Sequence, residues 1–370
     1  MTQLLSEDFK ILVETRYVFV VCFTILCRKK GVALSADFLK LQFKDLLSPP
    51  GIPISVLRSH SYGVRCFVAI EDRLFSGSLD GTIRVWDTRA HRHVATLEGH
   101  TNWVLCFTVL GDYLYSGSVD KTIRVWDMNS CMHITTLQGH TNWVYCLAVF
   151  GNRLFSGSPD KTIRVWDLST YQQVAILRGH TGGLVGFTMF GDRLFSAGDD
   201  GTIRVWNVEA NRYINTMRGH TDGLISLCVD GNRLYTGSAD KTIRVWDMDL
   251  CLHITTLRGH TNWVYCLTIT GNKLYSGSYD HSIRIWDTAE HQHVATLQGH
   301  TGGLVCLTAV GGKLYSGSAD RTIRVWDVET NRHITTMRGH TTWVFCLAVV
   351  GDKLYSGSAG EDSAIRVWTL

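Results

Sequence analysis

The sequence predicts an all-β protein, an eight-bladed propeller of four-stranded antiparallel blades, preceded by a short and partly helical leader. Two observations predict this fold. A unit of about 40 residues returns from position 59 to the C-terminus, and most copies carry Gly-His near the start and Trp-Asp near the end. Such a period with these two dipeptides is typical of a four-stranded propeller blade. The chain is therefore divided into a leader at residues 1–50 and a propeller at residues 51–370.

The unit at residues 139–167 shows how one copy forms a blade. Two apolar-rich runs flank Gly151 and Asn152, which suit the positive φ of a tight hairpin turn. A turn that contains Pro159 then precedes a run with β-branched and apolar residues at alternate positions. The predicted strands a, b, c and d are residues 144–150, 153–158, 162–166 and 173–177. Since such a sheet cannot bury its faces alone, each blade must pack against its neighbours.

Eight copies of the unit predict eight blades, with seven as the alternative count. The tryptophans of strand c, one for each copy, are Trp86, Trp126, Trp166, Trp206, Trp246, Trp286, Trp326 and Trp368. The sequence ends directly after the last strand c, so the eighth blade has no strand d of its own. Residues 54–58, in contrast, precede the first copy without a strand c. We expect residues 54–58 to pair with residues 365–368 and close the ring, because pairing removes an open sheet edge.

A His, a Ser or Thr, an Asp and a Trp recur at fixed spacing in the units. In blades 2 and 3 these residues are His100, Ser116, Asp120 and Trp126, and His140, Ser156, Asp160 and Trp166. A carboxylate buried in a tight turn needs donors, which an imidazole N–H, a hydroxyl and an indole N–H can provide. A catalytic triad uses similar residues, but it acts at one exposed site with an oxyanion hole, whereas this set recurs in every unit. The set is therefore interpreted as structural.

In these motifs the chain resembles the WD-repeat β-propeller family over roughly residues 52–370. The resemblance implies that the four recurring residues form a buried hydrogen-bonded tetrad, and that partners bind on the face shared by the d–a and b–c connections. The blade count is similar to that of F-box substrate receptors of ubiquitin ligases, although the leader lacks the Leu-Pro start and the Cys-x-x-Trp of an F-box. Strands b and c resemble those of zinc-finger or RING-bearing WD-repeat proteins, but this sequence has no such finger.

Composition narrows the possible functions. The chain has 370 residues, 45% hydrophobic content and a net charge of +3, which suits a packed globular domain. The arginine that recurs on strand c is expected to pack its aliphatic stem between strands. Nucleic-acid binding is therefore not the favoured function, and an RNA-associated protein is an alternative to it. The sequence has no P-loop, dinucleotide-binding loop, H-E-x-x-H motif or lone nucleophile pattern, so an enzyme is not predicted.

Cysteine usage indicates neither a disulfide framework nor a metal site. Six of the eleven cysteines occupy one position of strand a and are expected to act as small buried side chains. The sequence has no Cys-x-x-Cys pair and no zinc-ligand spacing, and it predicts no cofactor. This usage suits a reducing compartment, the cytoplasm or the nucleus.

The leader is the part of the sequence with the fewest motifs. Its uncharged apolar run at residues 17–27 is half the ~20 residues that a spanning helix needs, so a membrane span is not predicted. A packed or partner-seeking segment is the preferred interpretation, and a membrane contact or a wrong gene start are the alternatives. Residues 35–47 begin with an N-cap serine and end before two prolines, which predicts an amphipathic helix.

The third residue after each recurring His divides the blades into two groups. Blades 2, 3, 6 and 8 carry Trp103, Trp143, Trp263 and Trp343, whereas the other four carry Gly63, Gly183, Gly223 and Gly303. We expect the tryptophans to form a binding surface, because the fold does without them in four blades, and packing is the alternative. Further predicted contact residues are Arg65, Tyr145, Tyr265 and Phe345 two positions later, Tyr279 before a recurring Asp, and Lys121, Lys161 and Lys241 at b–c turns.

These residues predict the chemistry of the partner. Propellers that bind phosphorylated peptides bring several arginines together, because phosphate needs forked, charged donors. Arg65 is the one arginine at the positions that border the central opening. We therefore expect a protein or peptide with an apolar or aromatic epitope, and not a phosphopeptide.

Overall fold

The computed structural model describes residues 51–370, so the expectations for residues 1–50, including the helix at 35–47, lie outside the described residues. Within residues 51–370 the chain forms 32 strands in eight antiparallel sheets of four strands each. The predicted eight-bladed, all-β propeller is confirmed, and seven blades is the wrong count. Within the same range, no helix is long and apolar enough to cross a membrane.

Blades 1 to 4 each take four consecutive strands, in the order a, b, c and d. They are β2 (Val64–Ile70), β3 (Arg73–Ser78), β4 (Ile83–Asp87) and β5 (Arg92–Leu97); β6 (Val104–Leu110), β7 (Tyr113–Ser118), β8 (Thr122–Asp127) and β9 (Met132–Gln138); β10 (Cys146–Phe150), β11 (Arg153–Gly157), β12 (Thr162–Asp167) and β13 (Gln173–Arg178); and β14 (Leu184–Phe190), β15 (Arg193–Gly198), β16 (Thr202–Asn207) and β17 (Arg212–Arg218).

Blades 5 to 7 repeat this order, and blade 8 takes its fourth strand from the other end of the chain. They are β18 (Leu224–Asp230), β19 (Arg233–Ser238), β20 (Ile243–Asp247) and β21 (Leu252–Leu257); β22 (Val264–Thr270), β23 (Lys273–Ser278), β24 (Ile283–Asp287) and β25 (His293–Leu297); β26 (Leu304–Val310), β27 (Lys313–Ser318), β28 (Ile323–Asp327) and β29 (His333–Met337); and β30 (Val344–Val350), β31 (Lys353–Ser358), β32 (Ile365–Thr369) and β1 (Ser55–Leu57).

Strand β1 closes the ring as the sequence predicted. It pairs antiparallel with β32, so that Leu57 stands opposite Ile365 and Ser55 opposite Val367. The pairing extends to Ile54, whose N–H donates to the Val367 carbonyl over 2.8 Å. Leu57 is buried among residues of both blade 8 and blade 1, such as Phe67. The first and last blades are therefore joined by backbone pairing and by a shared core.

The core lies between the blades. Between blades 2 and 3, for example, Val144 of blade 3 and Tyr115 of blade 2 belong to one buried cluster with Trp166. Strand b also carries a glycine where neighbouring blades approach closely: a Cβ on Gly157 would lie 2.6 Å from Phe187 of the next blade. Each blade thus supplies one wall of the apolar layer that it shares with its neighbour.

Strands a form the inner ring, and their direction defines two faces. Strands a of successive blades contact one another, as β22 does with β26 and β26 with β30. Each sheet has the order a, b, c, d, so strand d lies outermost. Because antiparallel strands alternate in direction, the d–a and b–c connections lie on one face, which we call the upper face, and the a–b and c–d connections lie on the lower face.

Strand a of blade 3 begins two residues later than the sequence predicted. In blades 1, 2 and 4 to 7 the residue before the recurring Asp donates its N–H to the carbonyl of the third residue after the His, as Val119 does to that of Trp103 over 2.9 Å. Blade 3 has Pro159 at this position, and proline has no N–H to donate. The strand begins at Cys146, while the Val144 N–H donates across to Ser118 of blade 2 over 2.9 Å.

Candidate functional site

The recurring His, Ser, Asp and Trp of blade 3 form one buried chain of hydrogen bonds. The Trp166 indole donates to Ser156 Oγ over 2.9 Å, Ser156 Oγ lies 2.8 Å from His140 Nε2, and His140 Nδ1 lies 2.7 Å from Asp160 Oδ2. The indole therefore reaches the hydroxyl, whereas the sequence suggested a bond to the carboxylate. Blade 5 makes the same chain with Thr236 in place of serine.

One arrangement of protons satisfies this whole chain. A neutral His140 donates from Nδ1 to the carboxylate and accepts the Ser156 hydroxyl proton at Nε2, and the hydroxyl oxygen accepts the indole N–H. In blades 1, 5 and 8, burial lowers the pKa of the equivalent imidazoles, His60, His220 and His340. The lowered pKa favours the neutral form on which the arrangement depends.

A threonine that sequence reasoning missed completes the carboxylate's environment. Thr162 donates its hydroxyl to Asp160 Oδ1 over 2.6 Å, and the Thr141 N–H donates to Oδ2 over 3.0 Å. Burial by itself would raise the pKa of Asp160, but the bonds from His140 and Thr162 outweigh it and hold the pKa below its usual range. The signal was present in the sequence, since a Thr or Ser stands two residues after this Asp in blades 1 to 7.

Blade 8 replaces that threonine with an arginine. Its extra residues place Ala364 two positions after Asp362, so no hydroxyl is available there. Arg366 instead turns inward, where its Nη1 lies 2.9 Å from Asp362 Oδ2 and 2.7 Å from His340 Nδ1. Arg366 is 6% exposed, and the pair is buried. The strand-c arginine of this blade thus replaces the lost hydrogen bond with an ion pair.

These networks offer no accessible group for catalysis. Ser156 is fully buried and the side chain of His140 is 1% exposed, so a substrate cannot reach the hydroxyl. Both residues already have their partners within the blade. Within the part of the chain that the structure describes, no group of three or more His, Cys, Asp and Glu side chains is placed to hold a metal ion.

On the upper face, the third residue after each His lies against the b–c turn of the preceding blade. A Cβ on Gly223 would lie 2.3 Å from Asp199 Oδ1, and one on Gly303 would lie 2.4 Å from Tyr279 Cδ2. Trp343, in contrast, packs beside the small Ala319. The turns that precede the four tryptophans carry Leu79, Val119, Ala239 and Ala319. The choice of Gly at Gly223 and Gly303 therefore depends on which side chain the preceding turn presents.

Tyr279 joins aromatic side chains of two blades that are not adjacent. Its ring centroid lies 6.3 Å from that of Trp263 and 6.3 Å from that of Tyr265 in blade 6, and 6.4 Å from that of Trp343 in blade 8. Trp343 lies in turn 6.3 Å from Phe345. Gly303 of blade 7 leaves the space that Tyr279 fills. We call these five residues, Trp263, Tyr265, Tyr279, Trp343 and Phe345, the aromatic cluster.

The aromatic cluster leads from the upper face into the central channel. Its tryptophans and Tyr279 are half-buried, whereas Phe345 is 2% exposed. Phe345 is packed against Arg65 of blade 1, whose guanidinium carbon lies 4.5 Å from the ring centroid. Arg65 also bonds to the side chain of Tyr145 in blade 3, and burial raises the pKa of this phenol. Residues of four blades thus meet at the mouth of the channel.

Eight segments of the chain match the family model described as "WD domain, G-beta repeat", at residues 51–87, 91–127, 131–167, 171–207, 211–247, 251–287, 291–327 and 331–369. The chain belongs to the WD40 repeat family. Proteins of this family generally act as non-enzymatic scaffolds that bind proteins or peptides. The chain is also similar to the computationally designed Ika8 protein, whose crystal structure has a TM-score of 0.79 and 28% identity and covers 87% of this chain and 100% of that one.

The WD40 propeller places the other predicted contact residues on blades 2, 3 and 5. Trp103 and Trp143 are half-buried on blades 2 and 3, away from the aromatic cluster of blades 6 and 8. Three lysines are exposed at the b–c turns of blades 2, 3 and 5, namely Lys121, Lys161 and Lys241. The structure therefore brings together Arg65, Tyr145 and the aromatic cluster.

The strand-c arginines of blades 1 and 6 lie against the residue before the tetrad His. Arg84 Nη1 donates to Thr96 Oγ1 over 3.0 Å and to Ser59 Oγ over 2.5 Å. In blade 6, a Cβ on Gly259 would lie 2.5 Å from Arg284 Nη1. The guanidinium thus packs on the residue before the tetrad His, which accounts for the glycine of the Gly-His dipeptide.

Proposed function

We propose that this WD40 propeller is a scaffold or adaptor that docks a protein or peptide partner on its upper face, at the aromatic cluster. The observation that carries the proposal is the contact of Tyr279 with Trp263, Tyr265 and Trp343, which joins half-buried aromatic rings into one surface. Trp and Tyr supply a disproportionate share of binding energy at interfaces. Packing beside a small turn residue does not require a tryptophan at this position, because Gly63 stands there next to Ala359.

The composition of the surface supports an apolar or aromatic epitope and weighs against a phosphopeptide. One guanidinium, that of Arg65, stands at the channel mouth beside Phe345, whereas a phosphate is recognised best by several forked donors. The proposed compartment is the cytoplasm or the nucleus. It is supported by the strand-a cysteines such as Cys146, which is 1% exposed and whose thiol has a pKa raised by burial.

A substrate-recognition subunit of a ubiquitin ligase would be one form of such an adaptor. An RNA-associated role is less well supported, because the arginines that supply much of the basic charge, such as Arg84, bond within their own blade. RNA binding would use basic side chains that face outward with aromatic rings between them.

The test begins with peptides selected from a random library on the full-length protein. We expect peptides rich in aromatic and apolar residues. Trp263→Gly and Trp343→Gly should each weaken their binding by about 2 kcal/mol or more, as for interface anchors. Trp103→Gly is the matched control, because it makes the same change on the upper face outside the aromatic cluster, and it should leave the affinity nearly unchanged.

Thermal melts of the same variants separate binding from packing. Gly63 already occupies this position beside a small turn residue, Ala359, so the interface interpretation expects small changes in melting temperature. A loss of a few kcal/mol in Trp103→Gly, Trp263→Gly and Trp343→Gly alike is what large buried side chains would show. That result would reject the tryptophans as a docking surface.

A further inference from the structure

The central channel holds one charged side chain in a layer of apolar and aromatic ones. The fifth residue after each tetrad His lies near the start of strand a, and the eight residues are Arg65, Leu105, Tyr145, Val185, Ile225, Tyr265, Val305 and Phe345. Five of the eight are buried: Tyr145, Val185, Ile225, Val305 and Phe345. Arg65 is itself half-buried, and it is the one charged side chain of this layer.

The described residues compensate this cation incompletely. Arg65 has the face of Phe345 at 4.5 Å and a bond to the Tyr145 side chain, and both phenols near it, Tyr145 and Tyr265, have a raised pKa, so they are neutral partners. Within residues 51–370, its Nη1 is buried without a hydrogen-bond partner. The ion pairs of the same range do not include it. A buried donor nitrogen of a charged group that lacks a partner is costly, and more so without an opposite charge nearby.

We infer that Arg65 receives a carboxylate of the docked peptide at the mouth of the central channel. This inference rests on the proposed function, since the peptide is the partner of the aromatic cluster. A carboxylate supplies the opposite charge and two oxygens that match the guanidinium fork. Phe345 contacts both Arg65 and Trp343, so one peptide that places an aromatic side chain on the cluster can bring a carboxylate to Arg65.

The partner chemistry is thus an aromatic or apolar side chain followed closely by a carboxylate. That carboxylate is either an Asp or Glu side chain or the free C-terminus of the peptide. Several phosphates are not expected, because Arg65 is the one basic residue among the eight at this level.

The experiment uses the library-selected peptides and the full-length protein. Each peptide is synthesised again with its acidic residues changed to amides, and separately with an amidated C-terminus. We expect one of these changes to weaken binding by about 10-fold or more, since hydrogen bonds to charged groups are the strong ones. Arg65→Leu should remove this dependence, so that acid and amide forms bind alike, and Arg65→Lys should retain part of it.

Two controls separate a binding role from a structural one. Arg89→Leu removes a positive charge from an exposed arginine on the lower face and should leave the dependence on the carboxylate unchanged. Leucine already occupies the equivalent position in blade 2, at Leu105, so Arg65→Leu should melt no lower than the wild type. If Arg65→Leu did lower the melting temperature markedly, the comparison of acid and amide peptides would be made with Arg65→Lys alone.

The outcomes distinguish this inference from the proposed function. Aromatic peptides that bind equally well as acid and amide would overturn the role of Arg65 and leave the docking surface standing. Equal losses on amidation in the wild type and in Arg65→Leu would overturn it as well. A library that yields no binding peptide would contradict the proposed function, and this inference with it.

Discussion

The closing strand β1 makes a quantitative prediction for Leu57. This residue is 4% exposed and stands opposite Ile365, in the same register as Leu297 of blade 6, which is 5% exposed and stands opposite Ile283. If β1 acts as a full strand d, Leu57→Ala and Leu297→Ala should lower the free energy of unfolding by the same amount. Both fall in the range of about 2–5 kcal/mol for a buried leucine that leaves a cavity.

The alternative is that so short a strand opens locally. In that case the cost of Leu57→Ala is limited by the free energy of opening and falls below about 1 kcal/mol, since local openings span energies from near zero upward. Guanidinium unfolding followed by circular dichroism measures the difference, with the two alanine variants compared at equal m-values. Removal of residues 1–58, which deletes β1, should also lower the melting temperature markedly and promote association, whereas removal of residues 1–48 should do neither.

Two results would refute the closure argument. One is a full loss of stability in Leu297→Ala beside an unchanged midpoint in Leu57→Ala. The other is equal stability of the two truncated proteins, because only the longer deletion removes the backbone pairing of Ser55–Leu57 with β32.

Three further predictions concern the tetrads and the upper face. Asp160→Ala leaves the imidazole of His140 without its acceptor and should lower the free energy of unfolding in urea by roughly 1–3 kcal/mol. Asp120→Ala should have a similar effect. A variant that loses partner binding without loss of stability would contradict this structural role. The free energy of unfolding should fall as the pH drops below about 6.5, because His60, His220 and His340 take up protons more readily in the unfolded chain. It should fall again below about 4, because folding lowers the pKa of the tetrad carboxylates such as Asp160. A urea midpoint that is constant between pH 8 and pH 3.5 would contradict both expectations. Gly303→Ala should destabilise the ring by about 1–3 kcal/mol through its clash with Tyr279, and Tyr279→Ala in the same chain should recover most of the loss in a double-mutant cycle.

The fold could be predicted from the sequence because one unit is repeated with few changes. The period placed the strands, the tryptophans gave the number of blades, and the unmatched segments at the two ends predicted the pairing of β1 with β32. The late start of strand a in blade 3 did not follow from the sequence, although Pro159 carries the signal. Proline cannot make the backbone hydrogen bond to Trp143, and the importance of this bond is recognised only by comparison with other blades.

The candidate site could be predicted only in part. Sequence spacing identified the tryptophans and Tyr279 one by one, but it treated the blades as equivalent around the ring. The contact of Tyr279 with Trp343 crosses the whole of blade 7 and depends on the space left by Gly303, so it follows from packing and not from spacing. The inward turn of Arg366 was missed for a similar reason, because it replaces a hydroxyl that only the geometry shows to be needed.

The pairing of β1 with β32 also affects how the protein folds during its synthesis on the ribosome. At about 5–20 residues per second, roughly 15–60 s separate the synthesis of these two strands. Throughout that interval Phe67 and Trp86 of blade 1 lack the neighbours from blade 8, such as Tyr355 and Ile365, that cover them in the finished ring. A nascent chain that stalls before β32 therefore leaves an apolar wall open to water, and chaperones that hold such surfaces should associate with it until translation ends.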